Sequence, residues 1–168
     1  MAERPIVTYG DPVLREVAHP VEEINQEVKD LVSQMVDTLR RAKGLGLAAS
    51  QVGAPLRLFI LDLSATDIDE TLRVFINPEI IETDGGIEME EGCLSFPELY
   101  LRVTRPERVK VRATDLNGNR FEMTADGVMA RAILHEYDHT QGKLFIDHLS
   151  PLARTLLRGR LRKLAAAS

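Results

Sequence analysis

The sequence predicts an α+β fold in which antiparallel β-sheets pack around a central helix, with a further helix at the C-terminus. Apolar residues recur at helical spacing from Val28 to Leu39, with charged residues between them. Two segments that alternate in polarity flank Asn117-Gly118, which is typical of an antiparallel hairpin. The third pattern is His-Glu-x-x-His at residues 135–139, in an apolar segment that we expect to form the central helix.

The N-terminal part of the chain is predicted to contain an extended segment and then a helix. Residues 6–15 are expected to be extended and are broken by Gly-Asp-Pro. The first helix is expected to start at Asn25 and to end in a basic turn at residues 40–43, which suits the negative end of the helix dipole. Gly44 is then placed to stop the helix.

Two strands are predicted next. Residues 56–63 form a largely apolar run that indicates a buried strand, and residues 73–81 form a second strand region. Asn77-Pro78 interrupts the second region, so we expect an edge strand or a bend there. The acidic and polar residues 64–70 between the two strands are expected to form a loop.

The C-terminal half is predicted to contain the hairpin and two helices. Residues 109–114 and 120–124 form the hairpin strands, and Asp126-Gly127 begins the central helix, with Gly142 placed to end it. Residues 144–146 are expected to be a short buried extended piece, and Ser150-Pro151 starts the final helix. The final helix has an apolar stripe of leucines: Leu152, Leu156, Leu157, Leu161 and Leu164.

The composition limits the kinds of protein that this chain could be. A chain of 168 residues suits a single domain with its own core, which we expect to span residues 1–168. The net charge of −5 argues against general nucleic-acid binding, and the lone cysteine, which allows no internal disulfide, suits a reducing compartment. Because there is neither a membrane span nor a signal peptide pattern, we expect a cytoplasmic protein that binds neither DNA nor a membrane.

The His-Glu-x-x-His motif predicts a metal site on the central helix. His135 and His139 lie four residues apart, so on a helix they share one face and can close on a single metal ion. Glu136 beside them can reach a water on that metal as a general base. The alternative is a pair of satisfied core histidines with a solvated glutamate. Catalytic zinc sites use three protein ligands, and Cys93 is the one cysteine available to be the third.

Two further stretches have compositions that suit a site. Residues 44–53 are dense in small residues that allow the close approach of a backbone or a ligand, and Gln51 can both donate and accept hydrogen bonds there. A tight turn with a buried amide is an equally good interpretation of this stretch. Gly92 frees the backbone to present the sulfur of Cys93. That cysteine could instead be an apolar filler or a nucleophile, but neither explains the paired histidines.

Together these stretches resemble the peptide deformylases. The resemblance lies in three ordered motifs, at residues 44–51, 91–95 and 135–139, and extends over nearly the whole chain. It implies removal of the N-formyl group from the initiator methionine of new bacterial or organellar proteins, with release of formate. Nascent formyl-methionyl polypeptides would then be the substrate. The alternatives are another His-Glu-x-x-His metallohydrolase, such as a peptidase, and a non-catalytic metal-binding module.

The resemblance also implies roles for individual residues. Cys93, His135 and His139 match the family's metal ligands, and the native metal would be Fe(II), with zinc, nickel or cobalt able to replace it. Glu136 would be the general base. The residues that match the family's oxyanion donors and substrate contacts are Gln51 through its side-chain amide, Leu94 through its backbone N–H, and Leu45, Gly46 and Gly92 along the substrate.

Three charged residues are candidates for a supporting role around this predicted centre. Glu91, Arg105 and Asp138 are candidates for a polar shell that orients the histidines, with a surface salt bridge as the alternative. The chain departs from many family members at Leu134, where glutamine is common, and at Tyr100, near which some members carry an arginine. These departures affect fine substrate preference rather than the reaction.

The final helix is basic and has no acidic residue from Ser150 onward. In some deformylases the C-terminal helix docks on the ribosome, and a basic face would suit RNA. The alternative is a solvated face on an amphipathic helix. The basic residues are Arg154, Arg158, Arg160, Arg162 and Lys163.

Overall fold

The computed structural model describes residues 3–64, 66 and 71–167 of the chain. Most of the loop predicted at residues 64–70, and the first two residues of the chain, lie outside the described residues. The described helices are α1 (Gln26–Ala42), α2 (Gly127–Thr140) and α3 (Pro151–Ala167). The described strands are β1 (Gly46–Ala48), β2 (Leu58–Leu61), β3 (Arg73–Asp84), β4 (Ile87–Cys93), β5 (Phe96–Arg105), β6 (Arg108–Thr114) and β7 (Arg120–Asp126).

The strands form two antiparallel sheets, which confirms the predicted α+β fold. One sheet has five strands in the order β1-β2-β3-β6-β7, and the other is the β4-β5 hairpin. Alternate side chains of β2 point to opposite faces of the large sheet, as the pleat requires. Leu58 and Ile60 pack in one cluster with the apolar face of α1, whereas Phe59 and Leu61 pack in another with α2. The large sheet therefore lies between the two helices.

Helix α1 begins as the sequence predicts but ends one residue earlier. The Asn25 side chain accepts a 3.0 Å hydrogen bond from the Val28 N–H and caps the first turn. Lys43, rather than Gly44, adopts the left-handed conformation at the C-terminus, with φ of 58°. Gly44 is needed for space instead, because a Cβ there would lie 2.8 Å from the Leu94 side chain.

Strand β3 is not an edge strand, so that part of the prediction is wrong. It is the central strand of the five. The expected bend is present as a shift in register between Ile76 and Glu79, where Asn77 has φ of 51°. The irregularity accommodates Pro78, which has no N–H to donate. Both polar atoms of the Asn77 side chain bond the backbone of Val21 at 2.8 Å, which holds the bend in place.

Two predictions for the C-terminal region need correction. Leu144 is extended, but Phe145 and Ile146 are not, because Phe145–His148 is a 3-10 helix whose Asp147 side chain accepts a hydrogen bond from the Leu144 N–H. The leucine stripe of α3 is also narrower than predicted. Its packed members are Leu157, Leu161 and Leu164, whereas Leu152 and Leu156 are 70% and 77% exposed. In the described ranges, no helix is long and apolar enough to cross a membrane.

Gly142 follows α2 and packs closely against the backbone of the N-terminal segment. Replacing it should destabilise the fold. Its φ is +70°, and a Cβ there would lie 2.5 Å from the carbonyl oxygen of Arg15. We expect Gly142→Ala to lower the free energy of unfolding by about 3 kcal/mol, measured by urea denaturation. Gly118→Ala is the control, because Gly118 has φ of +86° but no described atom within 4 Å of the added Cβ. It should lose only about 1–2 kcal/mol. Equal losses would contradict the proposed clash.

Candidate metal centre

Helix α2 and the end of β4 bring the three predicted metal ligands together. One ligand atom each from Cys93, His135 and His139 lies within 4.8 Å of the other two. The Cys93 Sγ is 3.5 Å from the His139 Nε2. Both histidines are buried, at 7% and 1% exposure, because their face of α2 is covered.

Glu91 orients the His135 ring through the ring nitrogen that faces away from the other two predicted ligands. Its carboxylate lies 2.8 Å from the His135 Nδ1, which leaves Nε2 of that ring free to face the cysteine and the second histidine. Arg105 donates to both oxygens of the same carboxylate, at 2.5 and 3.1 Å, and Arg131 also donates to it. Although burial opposes ionisation, the hydrogen bonds from His135 and Arg105 lower the pKa of Glu91 to about 2. Glu91 is therefore an anion that accepts a hydrogen bond from the His135 ring.

The polar shell extends outward through Asp138 to the protein surface. Arg105 donates to the Asp138 carboxylate at 2.9 Å, and His148 lies 2.7 Å from the same oxygen. Arg105 is only 3% exposed, so this cluster is a buried network rather than a surface salt bridge. The network joins β5, α2 and the 3-10 helix Phe145–His148 around one predicted metal ligand.

Glu136 has the environment of a group that exchanges protons. It is 5% exposed, and one of its carboxyl oxygens, Oε1, has no hydrogen-bond partner among the described residues. Burial raises the pKa of Glu136 to about 7. A Cβ at Gly46 would lie 2.9 Å from Oε2 of this carboxyl group, so the glycine makes room for the glutamate side chain.

Gln51 is a buried amide that faces the sulfur. It lies on the 3-10 helix Ala49–Val52, where its Oε1 accepts a 2.9 Å hydrogen bond from the Ala48 N–H. This bond fixes the amide so that Nε2 lies 3.6 Å from the Cys93 Sγ and 3.1 Å from the Ser95 hydroxyl. The stretch is thus a tight turn with a buried amide, and the nitrogen of that amide lies beside the sulfur of the predicted centre.

A cleft of about 620 Å³ opens onto these groups. Its walls come from the β1 segment, the β4-β5 hairpin and α2. Tyr100 lies at the rim, 65% exposed, and its ring passes so close to Gly92 that a Cβ there would lie 2.8 Å from it. The predicted site residues that line the cleft are Leu45, Gly46, Gln51, Gly92, Cys93, Leu94, His135 and Glu136. These eight residues thus share one cleft, whereas the predicted ligand His139 is buried beside Cys93 at 1% exposure.

Sequence reasoning missed Arg131, one of the residues that hold the centre together. Besides Glu91, it donates to the carbonyl oxygens of Val103 at 2.9 Å and Ile87 at 2.7 Å. It therefore ties α2 to both strands of the β4-β5 hairpin. A signal was present: Arg131 stands one helical turn before His135, on the buried face of a helix, where an arginine requires partners.

The donor set fits a divalent transition metal. A thiol and two imidazoles are ligands that such ions prefer, and three protein ligands leave a position for water. Burial lowers the pKa of His139 to about 3, so its imidazole is neutral and has a lone pair to offer. The unpartnered Glu136 oxygen in the described structure marks where a further polar molecule would be bound.

Comparison with known protein families gives one consistent result. A sequence model of the polypeptide deformylase family matches residues 3–155. A peptide deformylase of Acinetobacter baumannii is 47% identical to this chain over 165 residues, covering 98% of this chain and 93% of that protein. A peptide deformylase of Acidobacterium capsulatum is also 47% identical, over 99% of this chain and 98% of its own length.

Solved structures agree with the sequence comparison. The crystal structure of a peptide deformylase from Legionella pneumophila superposes with a TM-score of 0.89 at 45% identity, covering 96% of this chain and 95% of that one. That of the Thermotoga maritima peptide deformylase gives a TM-score of 0.84 at 39% identity, over 90% of this chain and 100% of the other. The similarity therefore includes the whole arrangement of sheets and helices around the cleft.

Replacing Glu91 should weaken metal binding without removing a ligand. Glu91→Gln removes the negative charge from the group that accepts the His135 hydrogen bond. We therefore expect a 10- to 100-fold lower affinity for zinc. Chelator competition on the folded protein measures this affinity. The control is Glu88→Gln, which alters an exposed glutamate of the same strand that pairs with Arg102. Equal zinc affinities in the parent and Glu91→Gln would contradict this role for Glu91.

Proposed function

This chain belongs to the polypeptide deformylase family, and we propose that Cys93, His135 and His139 hold the metal ion for its reaction. The enzyme removes the N-formyl group from nascent peptides, and the hydrolysis yields formate and a free amine. The observation that best supports the assignment is the meeting of the three ligand atoms within 4.8 Å, beside the buried Glu136 carboxyl group. Family membership decides against a peptidase and against a non-catalytic module.

We further propose that the native metal is Fe(II), and that zinc, nickel or cobalt can occupy the same site. Nitrogen and sulfur donors alone would equally suit zinc, so the iron assignment rests on the family resemblance. When bound, the metal would supply Lewis-acid chemistry that lowers the pKa of a water molecule toward ~7. The protein supplies the remaining chemistry.

Glu136 is the proposed general base and acid. Its raised pKa of about 7 lies near neutral pH, where a carboxyl group can both accept and return a proton efficiently. In the proposed reaction, the carboxylate takes a proton from the attacking water as the water oxygen bonds to the formyl carbon. It then gives that proton to the amine nitrogen as the C–N bond breaks, so formate leaves and the peptide keeps a free N-terminus.

Gln51 and Leu94 are the proposed donors to the former carbonyl oxygen, on which negative charge gathers. The Gln51 Nε2 is held toward Cys93 by the bond between its Oε1 and the Ala48 N–H. The Leu94 backbone N–H comes from the residue that follows the cysteine. Donors fixed before the reaction need no reorganisation, and losing one typically lowers turnover by ~10²–10³.

The cleft is proposed to hold the formyl-methionyl end of the peptide, with Leu45, Gly46 and Gly92 along its path. These three residues line the cleft, and two of them are glycines that allow close backbone approach. We also propose that residues 1–168 act as one catalytic domain in the cytoplasm. The lone cysteine, which serves here as a ligand, favours a reducing compartment.

Formate release by the metal-loaded enzyme tests the role of Glu136. With a formyl-Met-Ala-Ser peptide we expect release by the parent, and a loss of turnover of about 10²–10⁴ in Glu136→Ala. Metal analysis of both anaerobically purified proteins should show equal content, because Glu136 is not a proposed ligand. A Glu136→Ala enzyme that keeps its metal and its turnover would exclude this glutamate as the base.

The basic C-terminal helix is proposed to dock on the ribosome. The outer side of α3 exposes Leu152 and Leu156, and the helix has five basic residues and no acidic residue in a chain of net charge −5. Such a surface suits RNA phosphates. Reversing the charges in Arg158→Glu, Arg162→Glu and Lys163→Glu together should abolish co-sedimentation with ribosomes at low salt. Peptide deformylation should continue, and unchanged co-sedimentation would favour a merely solvated face.

A further inference from the structure

The wall of the cleft contains a bulge in strand β5. The β4-β5 register pairs Gly92 with Tyr100, but pairs the next residue, Cys93, with Phe96. Residues 97–99 therefore have no opposing residues on β4 and bulge out of the ladder. The segment from Phe96 to Tyr100 lines the cleft next to a proposed metal ligand, so the shape of this bulge is part of the shape of the substrate site.

The bulge is held in a conformation that its sequence does not favour. Glu98 has a φ of +62°, in the left-handed region that side chains other than glycine, asparagine and aspartate rarely adopt. Such a conformation persists only where surrounding contacts determine it, and it is frequent at functional sites. A contact that supports Glu98 is therefore to be expected.

That contact comes from the C-terminal helix. The guanidinium group of Arg160 donates a 3.2 Å hydrogen bond from Nη2 to the carbonyl oxygen of Glu98. Helix α3 is held in place because Leu157 and Leu161 pack against the cluster that contains Phe96 and Leu99. The helix thus packs against the cluster that contains Phe96 and Leu99, and it reaches the carbonyl group of Glu98 through one directed hydrogen bond.

We propose that Arg160 is a positioning residue for the substrate. By binding the Glu98 carbonyl group, it keeps residues 97–99 in the bulged conformation that shapes one wall of the cleft. The inference rests on the proposed function, because the cleft is taken to bind the formylated peptide. It gives α3 a role inside the enzyme that is separate from any role of its outer face.

The proposed role predicts a change in peptide binding rather than in chemistry. Arg160 is remote from Glu136 and from the proposed metal ligands in sequence and in its contacts, so the reacting groups stay in place. In the iron-loaded enzyme we expect Arg160→Ala to raise KM for formyl-Met-Ala-Ser roughly three- to tenfold, the usual effect of one hydrogen bond. The kcat should stay within about twofold. The inhibition constant of the product Met-Ala-Ser should rise by the same factor as KM.

Two further variants separate this role from a general structural effect. In a Glu98→Asn background the left-handed conformation is favourable without help, because asparagine adopts it readily. Adding Arg160→Ala there should raise KM less than twofold. Arg112→Ala is the matched control, since it removes a half-exposed arginine that pairs with glutamates on the large sheet. Its KM should match that of the parent.

Several results would overturn the inference. Unchanged KM and product inhibition in Arg160→Ala would overturn it, and so would an equal effect of Arg160→Ala in the parent and Glu98→Asn backgrounds. A fall in kcat together with loss of metal or a lower Tm would indicate a general structural effect instead. Each of these results would leave formate release by the parent enzyme intact. Absence of formate release by the metal-loaded parent would contradict the proposed function, and this inference with it.

Discussion

The Glu91 carboxylate, buried among three hydrogen-bond donors, is the interaction on which the rest of the site depends. A charge this deeply buried is tolerated only when it is paired and fully hydrogen-bonded. Its partners, His135, Arg105 and Arg131, come from α2 and β5, so the carboxylate joins the β4-β5 hairpin to the helix. Because Cys93 follows two residues later on the same strand, the same junction brings the sulfur to the histidines.

Close packing around Glu136 sets the surroundings of the proposed base. Gly46 has no side chain, so the β1 segment can approach the Glu136 carboxyl group to within contact distance. That approach excludes solvent, and the loss of hydration raises the pKa of Glu136 to about 7. Glu91 and Glu136 are both buried, but their surroundings differ. Neighbouring donors stabilise the Glu91 anion, whereas one oxygen of Glu136 lacks a protein partner in the described structure. The surroundings of Glu91 suit a fixed electrostatic role, and those of Glu136 suit proton transfer.

The C-terminal helix has two surfaces with different consequences. Its inner leucines pack against the cluster of Phe96 and Phe145, and the Phe145 ring in turn lies 5.7 Å from the His135 ring, centroid to centroid. Its outer side is basic and exposes two leucines. The helix is therefore connected on its inner side, through two aromatic residues, to the predicted metal site.

Local patterns in the sequence determined much of this protein. Helical spacing predicted α1, the flanks of Asn117-Gly118 predicted the β6-β7 hairpin, and the motif at 135–139 predicted α2 with its histidines. Each of these features depends on contacts between residues only a few positions apart, which periodicity and turn chemistry report directly. The ordered motifs likewise predicted the family, and the predicted ligands do meet in space.

Tertiary structure decided the features that depend on contacts between residues far apart in the sequence. It placed β3 at the centre of its sheet, turned Leu152 and Leu156 to the exterior, and gave Arg131 partners about 40 positions away in the chain. It also gave Gly44 a neighbour, Leu94, that leaves no room for a side chain, so a glycine is needed there for space and not for its backbone conformation. A local pattern cannot report such contacts, because which buried charge meets which carboxylate is set only when the sheets and helices pack. The sequence by itself determined which groups are proposed to do the chemistry, whereas packing decided how they are held and charged.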